Sequence, residues 1–144
     1  MDYTATAQVA APAGVLWGLL VDVEGWPGWT RSVVMATRVD GGPFRVGSRA
    51  RVQQPRGRAQ VWTVTELVPE QRFTWEAHNP GLQFVASHVL TAEDGGTRLD
   101  LTFGLRGPLR RLGAVLGGHQ IRGYLELEAA GLKARAEHDS SAQS

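Results

Sequence analysis

The chain of 144 residues has no cysteine, and that absence removes disulfides, thiolate nucleophiles and cysteine-ligated metal sites together. Such a composition suits a reducing compartment. No stretch reaches the roughly 18 consecutive apolar residues that a membrane-spanning helix needs, and the first residues show no basic segment followed by an apolar run. A cytoplasmic protein with no stable membrane insertion is expected. An excess of either charge is missing too: 15 basic side chains stand against 14 acidic ones, and a formal net charge of +1 makes no global field to draw in nucleic acid. Gly-x-Ser-x-Gly, a phosphate loop and Gly-x-Gly-x-x-Gly are all absent, which argues against a serine hydrolase elbow and nucleotide cofactors. The four histidines, His78, His88, His119 and His138, lack His-Glu-x-x-His spacing, so no metal and no cofactor is expected.

What is present is 42% hydrophobic, enough for one domain with a real core. Residues 12 to 30, PAGVLWGLLVDVEGWPGWT, hold three of the five tryptophans. Pro12 suits a first helical position, and Leu16, Leu19, Leu20 and Val23 form one apolar stripe at helical spacing. Gly25, Pro27 and Gly28 then break the helix, yet Trp26 and Trp29 are too apolar to stay in water. This turn must fold back on the body and close one end of a cavity.

An alternating strand over residues 3–9 precedes that helix, and six strands follow it, at 32–39, 47–54, 59–67, 72–78, 82–91 and 97–105. Turn signals about every ten residues indicate an antiparallel meander. Gly107-Pro108 opens a long helix that runs to about Glu137. Leu109, Leu112 and Leu116 make one stripe on it, Ile121, Leu125 and Leu132 another, with Gly117-Gly118 between. Two such glycines cost roughly 1 kcal/mol each relative to alanine, so a kink or a place that must avoid bulk is predicted there. Residues 138–144 read as a disordered polar tail, and 1–137 as the domain.

The fold class is therefore α+β, a curved antiparallel sheet wrapped around the last helix. Parity turns Phe73, Trp75 and Ala77 inward, together with Leu82, Phe84, Ala86, His88 and Leu90, and with Leu99, Leu101, Phe103 and Leu105. For Trp62, parity does not decide. From Phe44 to Thr65 there is no acidic residue but five arginines: Arg45, Arg49, Arg51, Arg56 and Arg58. That is the pattern of a solvated hairpin face, or of a lip that holds a carbonyl or carboxylate.

The element order, with APAGVLWGLLVDVEGWPGW at the first helix, VGSRARVQQP, WTVTELVPEQRFTWEA, GGTRLDLTF and the terminal LELEAAGLKARAE, resembles the START-like, polyketide cyclase and lipid-transport (SRPBCC) superfamily. The likeness covers about residues 2 to 137. It implies the helix-grip fold, here a seven-stranded sheet around a long C-terminal helix with a short helical cover. It also implies a deep apolar cavity between sheet and helix, entered near the Trp turn. The expected ligand is a hydrophobic or amphipathic small molecule, such as a polyketide, lipid or isoprenoid, with cyclisation or dehydration as the chemistry. A carrier or sensor without turnover is the alternative, as is a protein-interaction module resembling the chaperone activators. Fold alone does not choose among them, and monomer or dimer is left open.

His88 is the catalytic candidate, because an inward imidazole can shuttle a proton near neutral pH. A lone histidine on an apolar face is also the pattern of a satisfied core residue. Arg51 is the second candidate, as a carbonyl clamp, although alternation sends it outward with Arg49. Expected to face ligand are Trp29, Met35 and Gln53 in the first half, then Trp62, Phe73, Trp75 and Phe84. Leu101, Phe103, Leu116 and His119 complete that set.

Overall fold

The computed structural model describes residues 1–142. Strand β1 (Asp2–Val9) leads into helix α1 (Ala13–Val21) and a 3-10 turn (Val23–Gly28). Strands β2 (Met35–Arg38), β3 (Arg49–Gln53), β4 (Gln60–Val68), β5 (Arg72–Asn79), β6 (Leu82–Glu93) and β7 (Gly96–Arg106) follow, and helix α2 (Arg110–Ala142) ends the chain. All neighbours are antiparallel in one sheet ordered β1-β7-β6-β5-β4-β3-β2. This is the helix-grip architecture. Among the described residues no helix is long and apolar enough to cross a membrane.

The meander follows from the turn residues at each strand end, and the longest pairing, β6 with β7, keeps register from Gln83↔Arg106 to Glu93↔Gly96. The inward parity holds at every fully apolar position from Phe73 to Leu105: Phe73, Leu99, Leu101 and Leu105 are sealed, while Leu82, Phe84 and Phe103 stay half-buried. Strand β2 is shorter than the sequence suggests, four residues against eight, and α2 is longer. It continues helically through residue 142 where a disordered tail from His138 was expected; residues 143 and 144 lie outside the described part. A salt bridge and hydrogen bond between Lys133 Nζ and Glu137 at 2.9 Å support that last stretch, with the Ala10 amide donating to Glu137 at 2.8 Å.

Helix α2 has two halves with different jobs. Its C-terminal half lies on β1 and on the Trp turn: Lys133 Nζ donates to the Gln8 carbonyl, and Arg135 donates to the Gly28 carbonyl at 2.9 Å. At Gly131 the helix comes so close to the loop that a Cβ there would collide with the Trp29 carbonyl. Leu125, Ala129, Leu132 and Ala136 fill the space beneath. In the first turns the row facing the gap is small, Gly113 and Gly117, so the helix covers the sheet there without filling the gap. The glycine pair does not interrupt the helix, and its two members differ. A Cβ on Gly118 would lie 2.8 Å from the Tyr3 hydroxyl, whereas one on Gly117 would meet nothing within 4 Å.

Candidate functional site

The gap under α2 is a cavity of about 240 Å³. An apolar cavity of about 150 Å³ is large enough for benzene, so this one has space for one or two rings. Its sheet-side wall is aromatic. Trp62 stacks on Trp75 (centroids 5.6 Å apart, planes 29° apart) and on Phe84 (6.2 Å, 30°), and Phe103 closes edge-on at 5.9 Å from Trp62. Helix residues Gly117, Gln120, Ile121 and Tyr124 form the opposite wall. The exposed loop between β3 and β4, with Arg56, Gly57 and Arg58, borders the open end. That loop is pinned to α2 where the Arg56 amide donates to Tyr124 Oη at 3.1 Å, and Gln120 donates to the same oxygen at 2.8 Å.

The Trp turn sits at the closed end, not at the mouth. Trp26, almost fully buried, donates its indole N–H to the Leu20 carbonyl at 3.0 Å and packs on Trp29 (5.4 Å), Trp75 (5.3 Å) and His88 (5.6 Å). The cluster of tryptophans thus closes one end of the cavity, as their spacing suggests, while access lies beside the arginine loop.

His88 projects from β6 beside this closed end. Its ring stacks flat on Phe73 at 4.1 Å, and Nδ1 lies 3.2 Å from the Phe73 carbonyl. A carbonyl oxygen only accepts, so Nδ1 carries the proton, and Nε2 is the nitrogen left for other work. Facing Nε2 at 3.4 Å is Glu128 Oε1, from the middle of α2. Side-chain exposure is 3% for His88 and 13% for Glu128, and both line the cavity. With Nδ1–H committed, an unprotonated Nε2 and an ionised carboxylate would oppose lone pair to lone pair. The separation is long for a hydrogen bond, and Oε1 has no hydrogen-bond partner, although it is buried. A sequence-adjacent signal exists for Glu128: it falls three residues after Leu125 and four before Leu132, inside the apolar stripe, where an acid is out of place.

Six of the residues expected at the site meet around the cavity: His88, Trp62, Trp75, Phe84, Leu101 and Phe103. The others lie elsewhere. Arg51 is exposed, because Ala50 and Val52 take the inward face of β3 and simple alternation holds. Met35 is 61% exposed, its neighbour Ala36 being the inward residue of the edge strand. Gln53 ends β3 with its amide turned along the loop to the Gln54 and Gly57 carbonyls. Phe73 is sealed behind His88, and Trp29 behind Trp26. Leu116, 78% exposed, and His119 fall on the outer side of α2, because the row that faces the gap runs through Gly113, Gly117 and Gln120. Missed from the sequence were Glu128, Tyr124 and Gln120, spaced four apart on one helix face.

Solved structures share this fold at low identity. The chain is similar to TTHA0849 from Thermus thermophilus (20% identical, TM-score 0.77, covering 97% of this chain and 99% of that one). It is similar to Ara h 8.0201 (12%, TM-score 0.66, 92% and 97%). It is also similar to the di-domain ARO/CYC StfQ from the steffimycin biosynthetic pathway (13%, TM-score 0.75), of which it spans 51% while 97% of its own length is covered. Among curated proteins none matches by sequence. The model for the polyketide cyclase / dehydrase and lipid transport family matches residues 1–137, and the chain belongs to that family.

Proposed function

We propose that the protein binds an amphipathic small molecule of one or two rings, with its apolar part between Trp62, Trp75, Phe84 and Phe103. Its polar atom, a carbonyl, enol or phenol oxygen, sits at His88 Nε2 and Glu128 Oε1. The observation that carries this reading is the buried pair itself: an imidazole nitrogen 3.4 Å from a buried carboxylate oxygen that has no hydrogen-bond partner, both on the wall of an aromatic cavity. Such a pair can give a proton to a carbonyl oxygen and take one from an adjacent acidic C–H, which together make an enol. In an aldol-type ring closure followed by dehydration, the same pair would take a second proton from the α carbon and give one to the departing hydroxyl, so that the C–O bond breaks, a C=C bond forms, water leaves and the pair ends with the protons it began with. The stacked walls would hold the reacting carbons near each other.

A second reading is favoured by the Phe73 carbonyl and the flat Phe73 stack, which hold the imidazole as a rigid strut between sheet and helix. In it the protein carries its ligand without turnover. The probe 2-naphthol, a bicyclic phenol, tests the binding mode common to both. On titration, the Nε2 signal of His88 in ring-nitrogen NMR should move while Nδ1 stays protonated. If 2-naphthol saturates the protein and leaves Nε2 unmoved, the polar end of the ligand is not at this pair.

A further inference from the structure

The nearly balanced charge of the whole chain conceals a strong asymmetry. Residues 44–65 and 101–125 contain nine of the 15 basic side chains and none of the 14 acidic ones. The two stretches meet at the open end of the cavity, where the Arg56 amide is bonded to Tyr124. Arg106 is ion-paired to Asp2 at 2.8 Å, but Arg56, Arg58, Arg110, Arg111 and Arg122 have no carboxylate partner among the described residues. Between these arginines the turn into α2 exposes Leu109, and the first turns of α2 expose Leu112, Val115 and Leu116, from 45% to 82% accessible. Leu109, Leu112 and Leu116 keep helical spacing, so they form an apolar stripe beside the row that lines the cavity. A clustered stripe of this kind on a monomer's surface marks an interaction site.

We propose that this face docks reversibly on an anionic lipid bilayer, with the first turns of α2 lying in the headgroup boundary and the mouth of the cavity turned to the lipid. Arginines flanking an apolar helix face are what an interfacial position requires. The negative surface of the bilayer complements Arg56 and Arg58 at the mouth and Arg110 and Arg111 at the start of α2. A second copy of this chain does not, because residues 44–65 and 101–125 hold no acidic side chain and a two-fold interface through this face would set basic surface against basic surface. The docking stands independently of what the cavity holds.

The test is cosedimentation of the full chain with vesicles of phosphatidylcholine alone, and of phosphatidylcholine with about one part in three phosphatidylglycerol. Binding is expected on the anionic vesicles, at least about tenfold tighter than on neutral ones, and lost in high salt. Arg110→Gln and Arg111→Gln should each weaken it about fivefold, and the pair about 30-fold. Leu112→Ser with Leu116→Ser should weaken it by about tenfold or more while leaving the melting temperature unchanged, since both side chains are exposed. No cosedimentation, equal binding to neutral vesicles, or binding indifferent to these substitutions would each overturn the proposal. So would a dimer seen by light scattering that Leu116→Glu splits and that ignores vesicles. Salt-sensitive binding to soluble polyglutamate with none to vesicles would overturn it as well, and assign the face to an acidic protein.

Discussion

Substitution at Gly117 separates the cavity from the helix that covers it. Glycine inside a helix costs about 1 kcal/mol relative to alanine, and leucine is nearly as good a helix former. A Cβ at 117 meets nothing within 4 Å, so nothing offsets the gain, and Gly117→Ala should stabilise the fold by about 1 kcal/mol. For a chain of this length that raises the melting temperature by about 3 °C. Gly118→Ala has the same intrinsic gain but drives Cβ to 2.8 Å from the Tyr3 hydroxyl, on a ring that Arg122 also covers at 5.1 Å, so its net effect should be near zero or destabilising. Gly117→Leu should keep the stability gain and extend an isobutyl group into the 240 Å³ cavity. Thermal melting gives the first quantity and 2-naphthol fluorescence titration the second. The expected pattern is a more stable Gly117→Leu protein whose probe affinity falls by about tenfold or more, a loss of about 1.4 kcal/mol of binding. Unchanged affinity at raised stability would refute the placement of the ligand, and a destabilised Gly117→Ala would refute the space assigned to that position.

Other perturbations act on named contacts. His88→Gln should keep the fold and lower turnover of a true substrate by roughly 10²-fold; if instead it melts early, by about 1 to 3 kcal/mol, and turns over normally per folded molecule, the histidine is only a strut. Gly131→Ala should be among the most destabilising single changes, because Cβ meets backbone, the Trp29 carbonyl, that cannot rotate away; chemical denaturation would show it, and a wild-type midpoint would contradict it. The Ala10 amide, and after it Lys133, hold the Glu137 carboxyl below the ordinary carboxylate range. Its contribution to stability is therefore present above the usual carboxylate pKa and lost as pH falls through the lowered one. The melting difference between wild type and Glu137→Gln should accordingly shrink in acid, and a difference that grows there would refute the sign.

Strand parity was legible because β5, β6 and β7 are long and central, and each one-residue error would move a whole row of Phe, Trp and Leu into water. Met35 was expected at the ligand without a parity argument, and alternation in the four-residue edge strand turns it out while Ala36 faces in. The outward setting of Arg51 follows from the same alternation and needs no special environment. Helical periodicity misled at Leu116, since an apolar stripe normally faces the core. Here the inward row in the first turns of α2 is Gly113 and Gly117, where the helix roofs a cavity, and Leu112 and Leu116 are left outside. Trp62 could not be assigned from β4 alone, whose two faces are both partly apolar; the stack with Trp75 and Phe84 from neighbouring strands fixes it. His88 was visible as a lone polar side chain on an apolar face, but its partner was not. Glu128 lies 40 residues away on another element, and only its position within the Leu125 to Leu132 stripe marks it.

The most direct test of the central claim is native mass spectrometry of the protein purified from its own host, beside the Gly117→Leu variant prepared in the same way. The account predicts a small-molecule adduct on the wild type, released on denaturation and absent or strongly depleted from the variant. A wild-type protein that remains at its bare chain mass after exposure to host extract, or an adduct retained equally by Gly117→Leu, would contradict it.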